Sequence, residues 1–98
     1  MVIIGGGVIA MELGFAFGRA GTRVTVLQSG PAVLPAIDDE VRTALVALAP
    51  SAGLAVRTNT RVTRIGADRT VEAEIAGQLE RFPSDVVLVA TGRPPNTV

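Results

Sequence analysis

The sequence contains no cysteine and no histidine. That excludes a disulfide framework, a thiol nucleophile, a histidine-based triad and the usual zinc ligand sets within these residues. Tryptophan and tyrosine are missing too, and three phenylalanines are the only aromatics. A surface that stacks nucleobases needs more of them. Neither sign of charge is in excess, because nine basic residues face nine acidic ones. Nothing therefore steers the chain toward nucleic acid or an anionic membrane. No apolar run reaches the roughly 18 to 20 residues of a membrane-spanning helix, and the first residues lack the basic start of a secretory signal. The expectation is a cytoplasmic protein without nucleic-acid or membrane partners. What the chain does have is apolarity: 98 residues that are 48% hydrophobic suffice to bury one small core.

The most informative stretch comes first. Val2-Ile3-Ile4 runs directly into Gly5-Gly6-Gly7-Val8-Ile9-Ala10. Gly5, Gly7 and Ala10 fill the G-x-G-x-x-G/A pattern of dinucleotide binding. Gly5 allows a tight turn, Gly7 lets a pyrophosphate approach the backbone, and Ala10 lets helix and strand pack closely. The ligand's negative charge would then sit on a helix N-terminus, where unpaired N–H groups favour it. Glycine triplets also occur in loops that bind nothing. Here an apolar run precedes the pattern, an apolar helix follows it, and a second strand comes at 22–27.

That first helix is expected over 8–20 and is closed by Gly21. Ile9, Leu13, Ala16, Phe17 and Ala20 recur at helical spacing and are expected to face the sheet. Met11 and Phe15 fall toward the other side, so the helix reads as apolar nearly all round. Gly14 and Gly18 each cost about 1 kcal/mol against alanine inside a helix. They imply close packing on the sheet or close approach by another domain.

The second strand ends at Leu27-Gln28-Ser29-Gly30, where a dinucleotide site meets the adenosine ribose. An acidic residue there bonds the 2′-hydroxyl of NAD, and a nearby arginine accommodates the 2′-phosphate of NADP. Neither occurs at this point of the sequence, so Gln28 and Ser29 leave the choice between NAD and NADP open. An irregular crossover at 31–35 leads to Asp38 as helix cap, with Asp39 and Glu40 in the first turn. The three carboxylates suit capping better than metal ligation. Val41, Leu45 and Leu48 supply the apolar stripe of this second helix, and Pro50 ends it. A third strand covers 53–58.

Then the rhythm changes. Segments 61–65, 70–75 and 78–82 are short and partly alternating, parted by Gly66-Ala67-Asp68 and Ala76-Gly77. They predict a three-stranded antiparallel meander with a solvated, charged face. The run at 85–90 reads as a last strand covered on both sides. The fold class is thus α/β: a Rossmann-like parallel sheet, two crossover helices and an inserted antiparallel β-meander. The short first strand and the linker-like 94–98 tail suggest a piece of a larger protein.

Two motifs together carry a family resemblance along the whole chain. Gly5-Gly6-Gly7-Val8-Ile9-Ala10-Met11-Glu12-Leu13-Gly14 and Ala90-Thr91-Gly92-Arg93-Pro94-Pro95-Asn96-Thr97 resemble the NAD(P)-binding domain of the pyridine nucleotide-disulfide oxidoreductases. The resemblance implies that residues 1–98 are one NAD(P)-binding domain. Gly5, Gly7, Val8 and Ile9 would line the pyrophosphate. Glu12 would lie near the nicotinamide and pair with a lysine of an FAD domain; on the residues alone it is an ordinary exposed helix glutamate. Gln28 and Ser29 fall where the family separates NADH from NADPH. Val62 would approach the adenine, or simply belong to the core. Ala90, Thr91 and Gly92 would approach the nicotinamide end.

The redox cysteine pair, the FAD glycine motif and the C-terminal dimerisation domain of the family do not occur in these residues. The expected partners are therefore the dinucleotide and the FAD and dimerisation domains of a parent chain. The parent is expected to be an FAD-dependent oxidoreductase; the chain alone is expected to be inactive. Two other readings remain. The chain is a stand-alone nucleotide-binding or interaction module, self-associating through an exposed apolar face; or its glycine turn holds FAD, which would want an acidic residue where Gln28 stands.

Overall fold

A computed structural model of the chain describes residues 1–5, 7–30 and 39–90. In chain order its elements are β1 (Val2–Ile4), α1 (Val8–Arg19), β2 (Val24–Leu27), α2 (Asp39–Leu48), a 3₁₀ turn at Pro50–Ala52, β3 (Leu54–Arg57), β4 (Thr60–Ile65), β5 (Val71–Ile75), β6 (Gln78–Phe82) and β7 (Val87–Val89). The apolar, β-branched runs become a parallel sheet in the order β3-β2-β1-β7. The three alternating segments become a separate antiparallel sheet, β4-β5-β6. This is the α/β, Rossmann-like architecture with a meander insert.

The core follows from strand pleating, which sends successive side chains to opposite faces. On one face Ile3, Val24, Val26 and Leu54 pack with Ala10 and Met11 of α1 and with Ala49 beyond α2. Leu45 and Val46 of α2 pack on the same cluster, so both helices cover this side. On the other face Val2 and Leu27 meet Val71 of the meander, with Val62 and Phe82 beside them. Ala76 and Gly77, both at positive φ, close the β5–β6 hairpin, as a two-residue turn between twisted strands requires.

Three packing expectations are corrected. The sheet-facing side of α1 is Ala10, Met11 and Gly14, with Leu13 of the expected set packed beside them, whereas Ile9 is 65% exposed, Phe17 37% exposed, and Ala16 and Ala20 are exposed. The cause is steric. A Cβ on Gly14 would lie 2.9 Å from Leu54 Cδ1, and one on Gly18 would lie 2.1 Å from the Ala52 carbonyl oxygen. Small residues thus set the closest approach, and the helix turns its flattest strip inward. The close packing read from Gly14 and Gly18 occurs within this chain.

In α2 the inward residues are Leu45 and Val46, with Ala49 just beyond the helix, and Val41 and Leu48 are exposed. The helix still stops before Pro50, which opens the 3₁₀ turn. β7 is shorter than expected, and both its faces are partly covered, Leu88 packing on one core cluster and Val87 on the other. Among the described residues it is an edge strand paired with β1, and Val89 at its end is 64% exposed. Asp38, the 31–35 crossover, Thr91, Gly92 and the 94–98 tail lie outside the described residues.

Candidate functional site

Gly5 leaves β1 at φ +132°, a conformation open to glycine and strained for other residues. Its N–H donates to the Leu27 carbonyl at 2.8 Å, which holds the turn against the end of β2. Gly7 is the N-cap of α1, with no side-chain cap and no acidic residue in the first turn. Neither a capping oxygen nor a carboxylate therefore answers the positive helix end. Gly7 itself needs no glycine for the protein's sake. Its φ of −81° and ψ of −170° are ordinary extended backbone, and a Cβ there would meet nothing within 4 Å among the described residues. Val8 and Ile9, the next two residues, are exposed.

A second set of residues gathers at the end of β2. The Gln28 N–H donates to the Arg57 carbonyl at 2.8 Å, and its own carbonyl accepts from Thr60 N–H at 2.9 Å. Asn59 N–H donates to the Gly30 carbonyl at 2.8 Å. The segment after β2 is thereby tied to the end of β3 on one side and to the start of β4 on the other. Ser29 N–H donates to Gln28 Oε1 at 3.1 Å. The result is a cleft of about 210 Å³ lined by Ile4, Gly5, Leu27, Gln28, Ser29, Thr60, Arg61 and Val62. Val62 does two things, packing against the Val2–Leu27–Val71 cluster and facing this cleft.

Ala90 adjoins the same region, because its N–H donates to the Ile4 carbonyl at 2.8 Å. Gly5, Gln28, Ser29 and Ala90 thus all lie at the carboxyl ends of parallel strands. The chain runs from β1 to β2 and β3 on one side and returns to β7 on the other. Ligands of open α/β sheets bind at such a switch point. Glu12 stands apart from the cleft, exposed on α1, where it lines a larger groove of about 520 Å³ with Met11, Phe15 and Leu45.

Sequence reasoning missed Arg61. It reads as one more charge on a solvated strand, and only the pairing of the segment after β2 with the start of β4 brings it to the border of this cleft. Arg61 forms an ion pair with Glu74, its cross-strand neighbour.

The chain matches the family described as pyridine nucleotide-disulphide oxidoreductase over residues 1–98. It belongs to this family. Among the family's relatives, the mitochondrial dihydrolipoyl dehydrogenase of Pisum sativum is 33% identical over 102 residues, which cover 99% of this chain and 20% of that protein. A solved structure of an NAD-dependent persulfide reductase from A. fulgidus is 38% identical with a TM-score of 0.77, over 98% of this chain and 18% of that one. A 2-naphthoyl-CoA reductase in complex with 2-naphthoyl-CoA superposes with a TM-score of 0.84 at 27% identity, over 93% of this chain and 14% of that one. The chain spans about a fifth of the length of the curated relatives it matches. No helix among the described residues is long and apolar enough to cross a membrane.

Proposed function

We propose that residues 1–98 form the NAD(P)H-binding domain of a flavoprotein disulfide reductase. Gly7 carries this reading. The fold places a glycine at a helix start where neither backbone conformation nor any neighbouring atom of the described residues asks for one. A ligand that must touch the backbone there supplies the missing reason, and a pyrophosphate on the free helix end fits it. Gly5, Gly7, Val8 and Ile9 would line that pyrophosphate. Gln28 and Ser29 would hold the adenosine ribose, and Val62 would face the adenine. Ala90, with Thr91, Gly92 and Glu12, would serve the nicotinamide end. The NAD dependence in the persulfide reductase's name supports the same reading.

Bound NAD(P)H supplies a hydride, and in the complete enzyme FAD would accept it. The chain's own residues bind and orient the dinucleotide, while an FAD domain and a dimerisation domain would complete the enzyme. The chain alone is expected to be inactive. FAD at the glycine turn is the competing reading. No Asp or Glu among the described residues lines the cleft beside Gln28, which favours NAD(P).

Calorimetric titration with NADH, NADPH and FAD tests this, repeated on Gly7→Asp. The variant is expected to melt like the parent, since a side chain at residue 7 enters open space. Its affinity should fall at least tenfold, about 1.4 kcal/mol or more. Binding of FAD alone would replace this reading with the competing one. No binding by the folded parent would sink the proposal.

A further inference from the structure

The meander is tied to the parallel sheet at both of its edges. At the β4 edge the ties are the main-chain bonds from Thr60 to Gln28 and from Asn59 to Gly30. At the β6 edge the tie is ionic. Arg57 Nη2 donates to both carboxylate oxygens of Glu80 at 2.9 and 3.0 Å, and its guanidinium lies 5.4 Å from the Phe82 ring centroid. Arg57 ends β3 in register with Leu27, so its side chain leaves on the face that the meander covers. The two side chains are half-buried.

Strand register carries this tie to the cleft. Val62 pairs with Ala73, and Ala73 pairs with Glu80. The three make one cross-strand row with the fully buried Ala73 at its centre and Val62, which lines the cleft, at its far end. Ladder hydrogen bonds and neighbouring side chains make such a row shift together. Apolar packing at Val71 and Phe82 is non-directional and resists separation of the sheets more than sliding. A directional bond at the second edge stops the meander from rocking about the first. The opposite wall of the cleft leads to the same residue, because the Arg57 carbonyl accepts from the Gln28 N–H at 2.8 Å. We propose that Arg57 is a positioning residue for the dinucleotide. Its main chain holds the Gln28 wall, its side chain holds the Val62 wall through Glu80, and together they set the width that admits the adenine end. Arg57 does not line the cleft itself. This role rests on the dinucleotide reading above and deepens it.

The test is calorimetric titration of the chain and its variants with NADH, NADPH and adenosine 5′-monophosphate. Arg57→Met keeps a long side chain over Phe82 and removes the charge; Glu80→Gln keeps the shape and removes the carboxylate. Each should weaken all three ligands alike, by about three- to fivefold, the range that a half-exposed ion pair can transmit. The ratio of NADH to NADPH affinity should not move, because both carry the same adenine. Combining the two changes should weaken binding no further than either alone, since both break one tie. Val62→Ala removes the wall through which the tie acts, so Arg57→Met should add nothing in that background. A merely structural Arg57 would lower the melting temperature and show no such coupling to Val62 in affinity. Unchanged affinity in Arg57→Met and Glu80→Gln, or losses that add to that of Val62→Ala, overturns the proposal and leaves the dinucleotide reading standing. If no nucleotide binds the folded parent, the dinucleotide reading falls, and this role with it.

Discussion

Gly18 and Gly14 sit one turn apart on α1, yet their neighbours differ in kind. The atom 2.1 Å from a Cβ on Gly18 is the Ala52 backbone carbonyl oxygen, which moves only if the 3₁₀ turn moves. The atom 2.9 Å from a Cβ on Gly14 is a methyl of Leu54, which another rotamer relieves. Gly18→Ala should therefore cost about 1–3 kcal/mol by overpacking, despite the helix propensity it gains. Gly14→Ala should stay within about 1 kcal/mol of the parent, because propensity and strain oppose each other. Urea unfolding of the two variants separates these outcomes. Equal losses would mean that the 3₁₀ turn yields as readily as a side chain.

At the scale of elements, the meander depends on few anchors. Val71 is fully buried against Val2 and Leu27, where β5 meets the parallel sheet. Val71→Ala should cost about 2 kcal/mol through two lost methyl groups and the cavity they leave. Amide exchange should quicken in β4, β5 and β6 more than in β1 and β2, because the loss falls on the docking of the second sheet. The β4–β5 turn carries a pH signature. Asp68 accepts from the Thr70 N–H at 3.0 Å and from its hydroxyl at 3.2 Å, and these bonds hold its carboxyl below the ordinary aspartate value. A depressed acid contributes its stability above the unfolded value and loses it as pH falls through the folded one. Protection of the Thr70 amide should thus weaken only below about pH 4. Asp68→Asn should remove that pH dependence, read by NMR exchange.

At the scale of the whole molecule, the described residues leave apolar surface exposed at one edge of the parallel sheet. Val89 ends the edge strand β7 and pairs with Ile4, while Val8 and Ile9 follow at the start of α1. A sheet edge with exposed valine is a template for pairing with another chain. The isolated chain is expected to associate as its concentration rises. Val89→Lys should lower that tendency in sedimentation velocity without changing the melting temperature, since residue 89 contributes little burial. Unchanged association in the variant would move the contact elsewhere, the exposed Val41 and Leu48 of α2 being the next place to look.

Much of this was legible in the sequence because it depends on local chemistry. Gly5 announces a turn before a helix, Ala76-Gly77 a hairpin, and Pro50 a helix end. Each is a statement about backbone torsions or missing donors that a residue makes by itself. Facing is different. Apolar residues nearly encircle α1, so periodicity could not choose among its sides; the contacts of Gly14 and Gly18 with Leu54 and Ala52 did. The cleft likewise depends on long-range pairing. Only the hydrogen bonds joining Gln28 to Arg57 and Thr60 bring Val62 and Arg61 to Gln28 and Ser29. A sequence states what each residue can do locally, and packing decides which distant residues meet.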